Sequence, residues 1–225
     1  MSLNSLRLKR WWHNKRHLDT PLKPLVAHSI PGPDTPFDQL EFVSLDIETT
    51  GLDPATADML SVGWVIIREG RVDLQTAESH IVRPSGEVGS SASIHGLTDT
   101  MVEGGSDWSI VLGKIIEVLT GRVLLVHHAG LDKALLDRLC WQRFEAPLLV
   151  PVADTLALER RRHERRHHVD EKKSFRLSDL RDDYRLPRYA AHDCLVDAIA
   201  TAELLIAMVA HNDGGARTCL RDLCT

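Results

Sequence analysis

The order of apolar and polar residues divides the chain into an early part with strand periodicity and a later part that alternates between helix and strand. Three runs rich in apolar and β-branched residues come first, at 41–48, 59–68 and 72–82. A short turn at 69–71 joins the second run to the third. This spacing predicts three consecutive antiparallel strands, the first of which ends at a Thr-Thr-Gly turn.

The later part of the chain predicts helices separated by two short buried strands. Apolar residues at helical spacing predict a helix that begins at Ser106 as its N-cap and closes at Gly121. Continuous apolar runs at 123–126 and 147–152 predict two more strands, the first of them central and parallel. Further helical patterns cover 129–144, 155–168, 178–184 and 195–209. The whole order predicts an α/β fold, a mixed five-stranded sheet with helices on both faces.

Composition indicates one folded domain with an appendage at each end. The chain has 225 residues, of which 43% are hydrophobic, enough for a substantial core. No run approaches the roughly 20 apolar residues of a membrane span, and no secretory signal pattern follows Met1. The four cysteines show no CxxC spacing, which favours reduced thiols in a cytoplasmic protein. We therefore predict no membrane span.

The segment 1–39 differs in composition from the rest of the chain. Six Lys or Arg and three Asp or Glu lie in residues 1–40 around Trp11 and Trp12, so this segment carries +3 and the remainder −8. Two interpretations stay open: an arm that contacts nucleic acid, a membrane surface or a partner protein, or a leader or short helix that packs on the domain. We predict an arm and proline-containing linker at 1–39, the domain at 40–212 and a tail at 213–225.

Two carboxylates on the first predicted strand are the first candidate site. Side chains two apart on a strand point to the same face, so Asp46 and Glu48 project together and Ile47 points the other way. Burial of two adjacent carboxylates raises their pKa values, and a divalent cation between them removes that conflict. Oxygen ligands suit Mg²⁺ or Mn²⁺. Gly51 is expected to let the chain turn sharply and approach a ligand closely.

Two later stretches add acidic and basic groups. Asp132 follows the strand at 123–126, beyond its carboxyl end, where open α/β sheets place their sites. His192 precedes the last helix, Asp193 is a candidate cap, and Asp197 lies one turn into that helix. Each residue alone has an ordinary explanation, since an acid in a first helical turn compensates the helix dipole and a histidine is common at a surface.

Taken in order, these residues resemble the DEDDh family of 3′→5′ exonucleases, which includes the proofreading epsilon subunits of bacterial replicases, RNase T and oligoribonuclease. The resemblance covers about residues 41–210. Four stretches carry it, at 46–52, 94–98, 127–132 and 192–198, and Asp154-Thr155 fits a recurrent pair after the next strand. This chain departs from the family pattern in having His128 where Asn is usual, Leu131 where Phe is usual, and Asp193-Cys194 after the histidine.

The resemblance implies an RNase H-like fold, a set of ligands and a base. Two Mg²⁺ or Mn²⁺ ions about 3.5–4 Å apart would clamp the attacking and leaving oxygens. Their ligands would be Asp46, Glu48, Asp132 and Asp197, and His192 would accept the proton of the attacking water. The 3′-terminal nucleotide would contact Thr49, Thr50, Gly51, Leu52, His95 and His128. Thr98, at the end of the Ile-His-Gly loop, is a plausible helix N-cap.

The expected activity is release of nucleoside 5′-monophosphates from single-stranded or frayed DNA 3′ ends, in proofreading or repair. The Ile94-His95-Gly96 loop favours DNA over RNA. Two alternatives stay open: an RNase or oligoribonuclease of the same family, and a catalytically silent module that binds nucleic acid or a polymerase. Expected partners are nucleic acid and a polymerase or another replication or repair protein. The charged run at 160–173 is either solvated or in contact with substrate.

Overall fold

The computed structural model describes residues 2–15, 20–84, 102–166, 173–190, 192–212 and 217–224. The Ile-His-Gly loop, with His95 and the predicted cap Thr98, lies outside the described residues. The part of the charged run at 167–172 also lies outside them.

Five strands form one mixed sheet. They are β1 (Phe42–Thr49), β2 (Met59–Arg68), β3 (Arg71–Ile81), β4 (Val123–Val126) and β5 (Val152–Asp154), in the spatial order β3-β2-β1-β4-β5. The pairs β1–β2 and β2–β3 are antiparallel, whereas β4 runs parallel to β1 and β5 runs parallel to β4. The predicted class, a mixed five-stranded sheet that begins with three antiparallel strands, is therefore confirmed.

Eight α-helices are described, in chain order α1 (Leu3–Lys15), α2 (Leu22–Ala27), α3 (Trp108–Leu119), α4 (Asp132–Phe144), α5 (Thr155–Arg166), α6 (Leu177–Asp183), α7 (Cys194–Asn212) and α8 (Leu220–Leu223). Asp107, not Ser106, caps α3, because its carboxylate accepts the backbone N–H of Ser109 at 2.8 Å. Ser106 instead extends the sheet, since its N–H donates to the carbonyl of Ile81 at 2.9 Å.

The fifth strand is shorter than predicted. Residues 147–151 are buried in part but lie outside the ladder, and only Val152–Asp154 forms a strand. Pro147 and Pro151 have no backbone N–H, so neither can donate to a neighbouring strand. The apolar residues between them are buried because they belong to the core beside the sheet, at Leu148, Leu149 and Val150.

Alternation along β1 assigns its side chains to two different cores. One face contributes Val43, Leu45 and Ile47 to a cluster with residues of α1, α2, α3 and α4. Phe42 belongs to the opposite cluster, which contains the apolar face of α7. On that side the Oγ of Ser44 also donates to the carbonyl of Ala198 at 2.7 Å. Asp46 and Glu48 continue the Phe42–Ser44 series, so their carboxylates project toward α7.

The N-terminal helices pack on the domain. Leu6, Leu22 and Leu25 are buried in the same core cluster as β1 and α3. The guanidinium of Arg10, which is 5% exposed, donates to the carbonyls of three residues, Leu25, His28 and Leu149. Burial lowers the pKa of Arg10 to about 10. The leucines of this segment therefore pack on the domain, whereas Trp11 and Trp12 are 55% and 45% exposed.

Residues 217–224 close against the proline-containing stretch near the start of the chain. The N–H of Leu220 donates to the carbonyl of Thr35 at 3.0 Å, and the N–H of Phe37 donates to Thr218 at 3.0 Å. Leu220 and Leu223 are buried in the cluster on the α7 side of the sheet. Both segments are thus held by backbone hydrogen bonds and by the core.

Among the described residues, α7 is the one helix whose length and composition alone would allow it to cross a membrane. Half of the most apolar stretch of this helix is buried within the protein. Its apolar residues pack on the sheet beside Phe42, Val65 and Leu125. The helix is therefore accounted for as the central core helix of the domain.

Candidate active site

Three carboxylates meet between the end of β1 and the first turn of α7. Oxygen atoms of Asp46, Glu48 and Asp197 all lie within 4.8 Å of one another. Glu48 is buried, and the other two are half-buried. The strand period points the first two toward α7, and Asp197 immediately precedes Ala198, which is fully buried in that helix. The fold thus concentrates three acidic groups at one point.

A glycine in β2 allows α7 to approach the sheet this closely. Gly63 pairs with Asp46 in the antiparallel ladder. A Cβ atom on Gly63 would lie 2.5 Å from the backbone nitrogen of Leu195 and 2.6 Å from the carbonyl carbon of Cys194. Sequence reasoning missed this residue, although a glycine inside a buried strand is a known sign of close backbone approach.

Asp132 lies at the start of α4 and is 4% exposed. It is outside the group of three whose oxygens lie within 4.8 Å, but its charge raises the pKa of Asp46. Its own pKa is raised by burial to about 8, although hydrogen bonds from its own backbone N–H and that of Ile47 act in the opposite direction. A fourth acid, itself buried, therefore borders the cluster.

Burial is the main cause of the raised pKa values at all four acids. For Asp46 the charges of Asp132, Glu48 and Asp197 add to the effect of burial. The pKa of Glu48 rises to about 7 through burial and then the charges of Asp197 and Asp193. Burial also raises the pKa of Asp197, against a lowering by the backbone N–H of His192. Carboxylate oxygens crowded in this way suit a hard divalent cation, which would offset their repulsion.

His192 precedes α7 in a left-handed backbone conformation, with φ at 70°. Its N–H donates to Oδ2 of Asp197 at 2.9 Å, and its side chain is exposed. The carboxylate of Asp193 accepts the backbone N–H groups of Leu195 and Val196 at 3.0 and 3.1 Å, so it caps α7 as predicted. The backbone of His192 is thereby held against Asp197, a member of the acidic cluster.

Asp154 holds the stretch 127–132 against α5. Its Oδ2 accepts the N–H of Ala129 at 3.0 Å, and its Oδ1 accepts the N–H of Leu156 at 2.9 Å. Nδ1 of His127 lies 2.8 Å from the hydroxyl oxygen of Thr155, and its Nε2 lies 3.0 Å from the carbonyl oxygen of Phe175. Burial lowers the pKa of His127. His127 and Asp154 therefore orient this loop, whereas His128 is exposed.

Threonine hydrogen bonds shape the turn after β1. The hydroxyl of Thr49 donates to the carbonyl of Gly51 at 2.7 Å, and the hydroxyl of Thr50 accepts the N–H of Asp58 at 2.8 Å. The turn does not require a glycine at Gly51, because its φ is not in the left-handed region and a Cβ there would meet no atom within 4 Å. The approach of a ligand to its backbone stays a prediction. Leu52 is 88% exposed at the tip of the turn.

A family model described as exonuclease, named RNase T, matches residues 43–205, which span β1 to the middle of α7. The chain belongs to the RNase T exonuclease family. This confirms the DEDDh resemblance on which the sequence analysis rests. The matched region contains all the predicted site residues, including His95.

Curated relatives of this exonuclease chain are longer proteins. A PolC-type DNA polymerase III of Thermotoga petrophila is 30% identical over 185 residues, which cover 78% of this chain and 12% of the relative. A DNA polymerase III subunit epsilon-like protein of Rhodobacter capsulatus is 30% identical over 181 residues, covering 78% and 25% of the two chains. The exonuclease chain thus spans an eighth to a quarter of these relatives.

Solved exonucleases share the fold. Escherichia coli exonuclease I in complex with a dA16 oligonucleotide superposes with a TM-score of 0.67 at 19% identity, over 77% of this chain and 42% of that one. Exonuclease X in complex with 5′ overhanging duplex DNA gives 0.58 at 21% identity, over 82% and 98%. At these identities the likeness demonstrates the common fold of the exonuclease domain.

Replacing Gly63 by alanine should weaken both the fold and the site of this exonuclease. The added methyl group collides with backbone atoms of α7, so the helix must shift and carry Asp197 away from Asp46. We expect a loss of about 1–3 kcal/mol of unfolding free energy and a fall in nuclease activity. Denaturant unfolding and nuclease assays measure the two effects.

Gly113→Ala is the matched control, because Gly113 lies in α3 and a Cβ there would meet nothing within 4 Å. It should leave stability unchanged or raise it by up to about 1 kcal/mol. Equal behaviour of the two variants would contradict the role assigned to Gly63.

The metal-free exonuclease should lose stability as the pH rises. Folding raises the pKa of Glu48 from 4.5 to about 7 and that of Asp132 from 3.8 to about 8, so the folded state binds more protons than the unfolded state across these windows. The unfolding free energy should therefore fall, by on the order of a few kcal/mol in total. Denaturant unfolding in a chelator, repeated with Mn²⁺, measures the loss and its recovery.

The cleanest window lies between pH 6.5 and 8. The lowered pKa of His127 adds stability as the pH rises toward 6.5 and adds little above it, whereas Asp132 still titrates there. Asp132→Asn should flatten the slope in that window. A metal-free protein that grows more stable between pH 6.5 and 8 would contradict the burial of these acids.

Proposed function

We propose that this chain is a divalent-metal-dependent 3′→5′ exonuclease that releases nucleoside 5′-monophosphates from single-stranded or frayed DNA ends in the cytoplasm. The main support is the cluster of Asp46, Glu48 and Asp197. Buried Asp132 borders this cluster, and the backbone N–H of His192 donates to Asp197. The four cysteines are free thiols, which agrees with a reducing compartment.

The four acids fit a pair of hard cations. Asp46, Glu48 and Asp197 would hold Mg²⁺ or Mn²⁺, and Asp132 would complete the second position. Bound there, the ions would stabilise the negative charge on the attacking and leaving oxygens of the phosphodiester. The raised pKa values support this role, since the ionised form of these crowded carboxylates is unfavourable until a cation offsets their charge.

His192 is the proposed general base. Its imidazole is exposed beside the cluster, while its backbone N–H fixes the main chain to Asp197. The histidine is not a member of the group of three carboxylates, and one of its ring nitrogens would take the proton of the attacking water.

The terminal nucleotide would contact the turn after β1 together with His128 and His95. The side chains of Thr49 and Thr50 both bond within the turn, so they would hold its shape. Exposed Leu52 and the open space at Gly51 would then face the sugar and base. Exposed His128 follows β4 near Asp132 and would contact the same nucleotide.

Single-stranded or frayed DNA is the proposed substrate form. The segment 41–225 carries a net charge of −8, which disfavours tight binding of duplex DNA. A paired end must first be unstacked, at a cost of a few kcal/mol, and a mismatched end costs less. Similarity to PolC-type and epsilon-like relatives supports work alongside a DNA polymerase in proofreading or repair.

The test uses end-labelled oligonucleotides with Mg²⁺ or Mn²⁺. Single-stranded DNA, RNA and a mismatched duplex are each labelled at the 3′ or the 5′ end. We expect the 3′ label to be released first as a mononucleotide, faster from DNA than from RNA. Cleavage of a circular strand, or release of the 5′ label first, would overturn the polarity. Faster hydrolysis of RNA would favour the alternative of an RNase or oligoribonuclease. Absence of hydrolysis would favour the alternative of a catalytically silent binding module.

A further inference from the structure

The segment that carries His192 connects α6 to α7 and needs support from its surroundings. A left-handed backbone at a residue with a side chain is sparsely populated and persists where neighbouring contacts fix it. The hydrogen bond from His192 to Asp197 fixes one end of the segment. Further contacts to the segment come from α6 and from α7.

A buried arginine joins α6 to this segment and to α7. Arg181 is 3% exposed, and its guanidinium donates to the carbonyl of Pro187 at 2.7 Å and to that of Ala200 at 2.7 Å. It also forms an ion pair with Glu203 at 2.8 Å. Pro187 lies five residues before His192, and Ala200 lies one turn beyond Asp197 on α7. One side chain thus bonds to both elements that place the site.

Tyr189 closes over this arginine from the solvent side. Its ring centroid lies 4.5 Å from the guanidinium carbon, and its hydroxyl donates to Oε1 of Glu203 at 2.9 Å. Glu203 therefore accepts from both Arg181 and Tyr189, one on each carboxylate oxygen. The three side chains form a closed unit, which we call the Arg181 clamp.

We infer that the Arg181 clamp positions His192 for catalysis, which makes Arg181 and Tyr189 positioning residues of the reaction. This inference rests on the proposed role of His192 as the base. A displacement of about 1 Å of a reacting group can cost on the order of 10²-fold in rate. A clamp that fixes residues 187 and 189 to α7 would prevent such a displacement at residue 192.

The neighbouring Arg188 provides a matched control. It lies in the same segment, but its ion pair is with Asp182 on α6, and its side chain is 82% exposed. Breaking it leaves the connection to α7 intact. Arg181 also lowers the pKa of Asp197 through its positive charge, so the test variant must keep that charge. Arg181→Lys does so while losing the planar fork that reaches two carbonyls.

The kinetic test compares Arg181→Lys, Tyr189→Leu and Arg188→Ala, each in the wild-type and the His192→Asn background. We expect the first two to lower kcat by roughly 10- to 100-fold, with KM and Mn²⁺ affinity nearly unchanged, and Arg188→Ala to have little effect. In the His192→Asn background their effect should nearly vanish, because groups that act as a unit are not additive. Equal losses in both backgrounds would overturn the inference.

A second measurement does not depend on activity. Hydrogen exchange at the amide of His192, which donates to Asp197, should accelerate at least about tenfold in the two clamp variants and not in Arg188→Ala. Unchanged exchange would show that the clamp does not hold the segment. If wild-type protein released no nucleotide, the proposed function would fail, and exchange alone would decide whether the clamp holds. Tyr189 is 43% exposed, so Tyr189→Leu supplies the answer if Arg181→Lys does not fold.

Discussion

Replacing Asp46 by asparagine should abolish metal-dependent cleavage while the fold survives. The substitution removes one oxygen anion from a group whose members lie within 4.8 Å of one another. We expect a loss of at least about 10³-fold in rate, since bound metal supplies several kcal/mol of transition-state stabilisation. Without metal the unfolding free energy should rise, because burial and four neighbouring carboxylate charges raise the pKa of Asp46. Nuclease assays and denaturant unfolding in a chelator measure both effects.

Glu117→Gln serves as the control for loss of one negative charge. Glu117 is exposed on α3, which covers the other face of the sheet. It should change neither the rate nor the metal-free stability by much. Wild-type rates in Asp46→Asn at saturating Mn²⁺ would exclude Asp46 as a ligand. If metal-free Asp46→Asn were less stable than the wild type, the proposed repulsion between Asp46 and its neighbouring carboxylates would be contradicted.

Replacing His192 by asparagine should lower the rate by about 10²–10⁴-fold, the usual contribution of a general base. Asparagine is chosen because it tolerates the left-handed backbone at this position, and it keeps the N–H that donates to Asp197. Mn²⁺ affinity should stay within a few-fold, since the carboxylates are untouched. Single-turnover kinetics and calorimetric metal titration separate the two quantities.

His211→Asn is the matched control, an exposed histidine near the other end of α7. It should leave the rate unchanged. If calorimetry showed that His192→Asn abolishes metal binding, the residue would be a ligand and its proposed role as a base would be wrong.

Patterns that depend on near neighbours in sequence predicted most of the fold. The bounds of β2 agree with its apolar run, and the period of two in β1 correctly placed Ile47 opposite the two acids. The predicted strand at 147–152 was too long, because an apolar run of this length does not distinguish a strand from buried irregular chain. The division of the chain into an arm at 1–39 and a domain stays a prediction, although leucines of the segment 1–39 lie in the core.

The sequence did not predict the roles of residues that depend on distant parts of the fold. Gly63 matters because the backbone of α7 lies against it, and these two segments are far apart in the sequence. Arg181 lies in the short helix predicted at 178–184, and its burial depends on carbonyls of the next segment and of α7. Composition and periodicity carry no information on such partners. The acids at positions 46, 48, 132 and 197 were singled out because the order of their motifs resembles a known family.

The docking of α1 bears on the order in which the chain can fold during synthesis. Arg10 on α1 donates to the carbonyl of Leu149, and the stretch 33–37 forms backbone hydrogen bonds with 218–221. These contacts can therefore form only after segments that are synthesised much later. Contacts of such long sequence separation slow folding. Until those later segments leave the ribosome, the apolar faces of α1 and α2 would stay exposed to solvent.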